Sequence, residues 1–255
     1  MKEALTEIAK AAGKLLLEKF RNPEFSGIAE IKGSFDYSIK MDRLVEGKII
    51  QMLKDKGIEC NLITEESGEV DLGESEYTIY LDPLDGTLNY AHSIPHYAVS
   101  IGVEKGNRLF MAVIYDPNSD ELFFAERDEG AFLNGKRIHV SRTSDLNYSI
   151  LNMFGRTLKV NPEMSDIHVN LMKSAYIRMP MSAVLALAYT ACGRTDATIG
   201  TGHRKWDVAA GALLVKEAGG TITEINGDEF NLDSKSLLAS NPHIHRKLLE
   251  MLVLE

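Results

Sequence analysis

The chain has 255 residues, 44% hydrophobic and 25% charged, with a formal charge of −9. This length buries a substantial core as one large domain or two small ones, and the acidic balance argues against a non-specific nucleic-acid binder, which needs a basic face. Two cysteines, Cys60 and Cys192, are too few for a disulfide framework, and the longest apolar run, 183–192, is about half the ~20 residues of a membrane span.

A soluble, cytoplasmic protein without nucleic-acid or membrane partners is expected. Residues 1–20 place Leu5, Ile8, Ala9, Ala12, Leu15 and Leu16 on one helical face. A second helix fits 42–56, with Leu44, Val45, Ile49, Met52 and Leu53 inward. Between them, "NPEFSGIAEIKGSFDYS" reads as a loop or an irregular hairpin, long enough to suggest that it has a job.

Strand-like segments follow at 58–63, 77–82, 97–106, 109–117 and 121–126, short and rich in β-branched and aromatic residues. The run 97–126 reads as an antiparallel meander. Later come a strand near 149–154, helices near 162–173 and 182–192, and a strand at 195–199. A helix at 207–218, strands at 221–225 and 236–239, and a closing helix at 242–254 complete the chain. Strands interleaved with helices imply sheets covered by helices in layers. No linker or repeat divides the sequence, so one domain over 1–255 is expected.

The hexapeptide "DPLDGT" (82–87) directly follows the apolar strand "YTIYL". Asp-Pro and Asp-Gly are common turn formers, and alone they read as a turn. Their position at a strand's carboxyl end, where sites in α/β sheets lie, supports a second reading. There Asp82 and Asp85 attract Mg²⁺, while the N–H groups of a helix starting at Gly86-Thr87 meet phosphate. Glu65 and Glu66 follow another strand-like run, where one could reach the same edge, although alone they read as a solvated acidic loop. Asp207 sits where a helix N-cap belongs, which needs no metal. No GxxxxGK[ST] or HExxH motif is present, and the histidines show no metal-ligand spacing.

Glu65-Glu66-Ser67, "DPLDGTLN" and "WDVAAGALLVKEAGG" (206–220), in this order and spacing, resemble the inositol monophosphatase family of Mg²⁺-dependent, lithium-sensitive phosphatases. "GAFLNGKRIHVS" (130–141) is similar to the family's strand-turn-strand. The likeness runs from about Lys32 to Asn241. It implies an α+β fold, an αβαβα sandwich of the sugar-phosphatase type, with two or three Mg²⁺ per site. By the same resemblance, Glu65, Asp82 and the carbonyl of Leu84 hold one metal, and Asp82, Asp85 and Asp207 the second. Gly86 and Thr87 give backbone N–H groups to the phosphate. A metal-activated water, oriented by Glu65 and Thr87, attacks phosphorus directly. Asp42 supports the threonine, Lys32 lies on a mobile loop, and Ser182 and Ala183 contact the sugar. The implied substrate is a small phosphate ester, inositol 1-phosphate or fructose 1,6-bisphosphate, and by analogy the protein is a homodimer.

Three positions depart from the family pattern. Gly200 stands where inositol-selective members carry a glutamate, which should relax discrimination among polyols. Met181 replaces a usual glycine. Arg204 occupies a place where archaeal-type members, which also hydrolyse fructose 1,6-bisphosphate, carry arginines. It either binds a second anionic group of the substrate or belongs to a solvated basic loop. Alternatives within the family are a 3′(2′),5′-bisphosphate nucleotidase, an NADP phosphatase or a histidinol phosphatase. Outside catalysis, the alternative is a silent metal-binding protein on the same fold.

Overall fold

The computed structural model describes residues 1–26, 28–33, 36–155 and 163–252, with the backbone alone described for 26, 28–33, 36–38 and 163–168. Helix α1 (Lys2–Lys19) buries Leu5, Ile8, Ala9, Ala12 and Leu16, as their spacing requires. One turn, α2 (Pro23–Ser26), leads into a hairpin of β1 (Ile28–Gly33) and β2 (Asp36–Ile39) whose pairing slips twice. The irregular hairpin expected here is therefore present, while the Lys32 side chain lies outside the described residues. Helix α3 (Lys40–Asp55) buries Val45, Ile49 and Leu53. Leu44, expected inward, is 41% exposed, because it sits about 100° round the helix from Val45.

Next come β3 (Asn61–Thr64), β4 (Gly68–Asp71) and β5 (Tyr77–Asp85), then a short helix α4 (Thr87–Ala91). After it follow β6 (Ala98–Lys105), β7 (Arg108–Asp116), β8 (Glu121–Glu126), β9 (Gly130–Leu133) and β10 (Lys136–Arg137). These strands form an eight-stranded sheet among the described residues, in the order β10-β9-β8-β7-β6-β5-β3-β4. From β5 to β10 every neighbour is antiparallel, so the expected meander extends at both ends. The parallel pair is β3 with β5, which sets Thr64 opposite Leu81.

The second half holds β11 (Ile150–Gly155), α5 (Glu163–Ser174), β12 (Tyr176–Arg178), α6 (Ala183–Ala191) and β13 (Ala197–Thr201). It ends with α7 (Lys205–Glu217), β14 (Thr221–Thr223), β15 (Ser236–Ser240) and α8 (Pro242–Leu252). Its sheet runs β12-β11-β13-β15-β14. Neither β4 nor β12 was legible in advance, since each is short and carries few buried apolar residues.

Among the described residues, three apolar clusters define the layers. The first joins α1 and α3 to one face of the larger sheet through Leu5, Leu16, Val45, Leu81 and Ile101. The second sandwiches α6 and α7 between the two sheets. The third packs Leu171 of α5 and Ile244, Leu248 and Leu252 of α8 against Leu151, Met153 and Ile199. The architecture is an αβαβα sandwich. Helix α6 is apolar all round because protein covers it on both sides, and no described helix is long and apolar enough to cross a membrane. Helix α7 presses close on β6, where a Cβ added to Gly102 would lie 2.7 Å from Ala209 Cβ.

Candidate active site

Strand β5 does not turn after Leu81. Its pairing with β6 continues from Asp82↔Ser100 to Asp85↔Ala98 across a bulge, so "DPLD" is a bulged strand end rather than a turn. Bulges commonly re-aim side chains beside sites. The chain reverses at Gly86, which has φ 90°. A Cβ there would sit 2.8 Å from the carbonyl oxygen of His96, so both conformation and space demand glycine. Helix α4 begins at once with Thr87, as expected.

The parallel pairing of β3 and β5 brings the Glu65 turn to the same edge. Helix α7 delivers Asp207 in its first turn, where Asp207 Oδ2 accepts from the Arg204 N–H at 2.7 Å. The N-cap itself is Arg204, so the N-cap position expected for Asp207 is corrected: Asp207 caps from inside the helix. Asp85 lies at the start of α6, accepting from Ser182 Oγ and, at 3.0 Å, from the Ala183 N–H. Ser182 and Ala183, expected to face the substrate, are thus tied to Asp85. The N-terminal end of α6 favours a negative charge there.

Burial raises the Asp82 carboxyl well above the usual range, and Glu65, Asp85 and Asp207 raise it further in that order. The Leu84 N–H, 3.0 Å from Asp82 Oδ1, opposes them only in part. Burial pushes Asp85 up to about 7; Ser182 lowers it and Asp207 raises it. Acids from three separate stretches therefore converge on a carboxylate that is 3% exposed.

Of the Glu65-Glu66 pair, Glu66 faces Arg43, whose Nε donates to it at 3.3 Å. Glu65 is the one that acts on Asp82. Thr87 Oγ1 lies 3.1 Å from Asp42 Oδ1 and 3.0 Å from the Leu84 carbonyl, so its one proton is shared between two acceptors. Asp42 in turn accepts from the Ile39 N–H at 2.6 Å.

Among the described residues, no group of three or more His, Cys, Asp or Glu side chains is gathered tightly enough to enclose a metal ion as it stands. Like charges at this range repel, and Asp82, Asp85 and Asp207 have each turned to a local donor. The donor set nonetheless fits Mg²⁺. It consists of carboxylate and carbonyl oxygens without sulfur or imidazole, the chemistry of a hard cation. A divalent ion would offset the repulsion that adds to burial in raising Asp82.

The basic loop before α7 divides. Lys205 pairs with Asp233 at 2.9 Å. His203 stands between Phe154 and Phe230, and burial lowers its pKa to about 4. Arg204 is exposed and in no ion pair among the described residues. At Gly200 an added Cβ would collide with the Phe154 ring, so no larger side chain fits without displacing it. Met181 has φ 52°, the left-handed region that glycine occupies without strain.

Two residues were not singled out from sequence. Asn89 Nδ2 donates to the carbonyls of His96 and Pro180, at 2.8 and 2.9 Å, and so ties α4 to the approach to Ser182. Glu46, buried on α3, grips the turn that carries Glu65. Its spacing four residues after Asp42, within an otherwise apolar face, was the available signal.

The inositol monophosphatase family model matches residues 1–254. The chain belongs to the inositol monophosphatase family. It is 37% identical over 246 residues to the Nus factor SuhB of Escherichia coli strain K12, covering 94% of this chain and 91% of that relative. An inositol-1-monophosphatase of Mesorhizobium japonicum is 35% identical over 250 residues, covering 96% and 93%. The crystal structure of the extragenic suppressor protein suhB from Bartonella henselae superposes with a TM-score of 0.93 at 35% identity, covering 98% and 97%. Membership makes a phosphatase with a small phosphorylated substrate the family expectation.

Proposed function

We propose that this protein is a Mg²⁺-dependent phosphomonoesterase of small sugar or polyol phosphates, with inositol 1-phosphate and fructose 1,6-bisphosphate as first candidates. The observation that carries the reading is the convergence of Glu65, Asp85 and Asp207 on buried Asp82. Glu65, Asp82, the Leu84 carbonyl, Asp85 and Asp207 would hold two or three Mg²⁺. When bound, Mg²⁺ supplies positive charge that neutralises the phosphoryl oxygens and acidifies the attacking water.

The chain's own groups do the rest. Thr87 Oγ1, its proton shared between Asp42 and Leu84, presents lone pairs that accept from the attacking water, with Glu65 as a second acceptor. The N–H groups of Gly86 and Thr87 donate to the phosphoryl oxygens as charge builds. Asp42 keeps Thr87 in orientation. Ser182 and Ala183 hold Asp85 and border the leaving group. Arg204 receives a second anionic group, a role supported by its exposure and by its making no ion pair among the described residues. By the family resemblance, Lys32 corresponds to a lysine of the mobile loop between the first two helices. By family analogy the active form is a cytoplasmic homodimer.

Gly200 offers the leaving group no carboxylate, and the space a side chain there would need is taken by the Phe154 ring. That supports a broad acceptance of phosphate esters, and bisphosphate nucleotides or NADP remain in the same panel. The relatives named Nus factor favour a second reading, a binding role on this scaffold. Phosphate release from a substrate panel, with Mg²⁺ and with chelator, separates the two. Release from a sugar or polyol ester that chelator abolishes is expected; none from any ester would leave the binding role.

A further inference from the structure

Helix α3 carries two buried acids one turn apart, and they reach to different parts of the site. Asp42 meets Thr87, the first residue of α4. Glu46, 2% exposed, meets the turn between β3 and β4. Its Oε2 accepts from Thr64 Oγ1 at 2.6 Å and from the Glu66 N–H at 3.0 Å, while its Oε1 accepts from Ser67 Oγ. These donors bracket Glu65 on both sides.

Closing that hairpin does not require a buried acid. Strands β3 and β4 are already paired from Asn61↔Asp71 to Thr64↔Gly68. Burying a carboxylate is unfavourable unless hydrogen bonds replace its water, and here all three donors come from the one turn. What Glu46 adds is orientation. Two side chains four apart on one helix hold the Glu65 turn and the Thr87 turn at a set separation.

We infer that Glu46 is a positioning residue, acting through residues 64–67 to hold Glu65 against Asp82 and so setting the affinity of the site for its divalent cation. The inference rests on the metal-site reading proposed above. Outer groups that orient metal ligands act in this way, and their loss typically costs about 10–100-fold in metal affinity.

The test is Mg²⁺ binding to the intact protein without substrate, by titration calorimetry, beside thermal unfolding and the Mg²⁺ dependence of phosphate release. Glu46→Ala is expected to weaken Mg²⁺ by about 10–100-fold and to raise half-saturating Mg²⁺, with KM for the ester unchanged. Glu46→Gln is expected to recover most of the loss. Its amide oxygen still accepts from Thr64 and Glu66, and its NH₂ donates to Ser67 once that hydroxyl reverses.

Wild-type Mg²⁺ affinity in folded Glu46→Ala overturns the inference while leaving the proposed function standing. A Glu46→Gln variant as weak as Glu46→Ala also overturns it, because charge alone would then be responsible. Should Glu46→Ala fail to fold, Ser67→Ala decides, since Ser67 is exposed. A measurable loss of Mg²⁺ affinity supports the inference, and none refutes it. A wild-type protein that binds no Mg²⁺ would instead sink the metal-site reading, and this inference with it.

Discussion

Thr64 and Leu81 stand opposite one another on the parallel strands β3 and β5, so Glu65, just past the end of β3, comes beside Asp82, which is still paired within β5. The electrostatic consequence is direct. Glu65 is the strongest charge acting on Asp82. An antiparallel pairing would have sent the two acids to opposite edges. Helix α7, seated over Gly102, adds Asp207 to the same edge.

Asp85→Asn should lower turnover by at least about 100-fold, judged from the loss that outer metal-site partners alone cause. The fold should persist, because the amide oxygen can still accept from Ser182 or Ala183. Steady-state phosphate release and circular dichroism check this. Near-normal activity would remove Asp85 from the site.

The same variant makes a pH prediction. Folding raises the Asp85 carboxyl from its ordinary 3.8 to about 7. A raised carboxyl favours the protonated fold, so its contribution is complete below about pH 4 and is lost as pH rises through about 7. In chelator, the melting temperature of Asp85→Asn minus that of wild type should therefore grow between those two values. Added Mg²⁺ should shrink the difference at the upper end, because the cation needs the ionised form. A flat difference would contradict the burial argument.

Arg204→Ala should raise KM for fructose 1,6-bisphosphate by about 10-fold, as expected for losing a charged hydrogen bond. KM for inositol 1-phosphate should stay put. Equal losses on both esters would return Arg204 to the solvent.

Gly200→Glu should destabilise the protein by about 1–3 kcal/mol through overpacking against Phe154. The double change Gly200→Glu with Phe154→Ala should recover part of that loss in thermal unfolding. Independent, additive losses would mean that the ring and residue 200 do not compete for space.

Much of the molecule was legible from local pattern. The inward faces of α1 and α3, the meander and the Gly86 reversal depend on residues close in sequence, where periodicity and backbone sterics decide the outcome. Leu44 marks the limit, because an apolar residue beside a helical stripe is buried only if something packs over it. The strand-like persistence of "DPLD" was missed for a related reason: β6 holds Asp85 in register, and a pairing partner overrides local turn preference.

By itself the sequence determined which acids were available, where most elements lie and the family likeness of the motifs. Only the tertiary structure decided which acids meet. Parallel register put Glu65 beside Asp82, helix packing delivered Asp207, and Glu46 proved to be anchored on the Glu65 turn. Such contacts join residues far apart in the chain, and their geometry is set by the packing of whole layers rather than by any neighbour along the backbone.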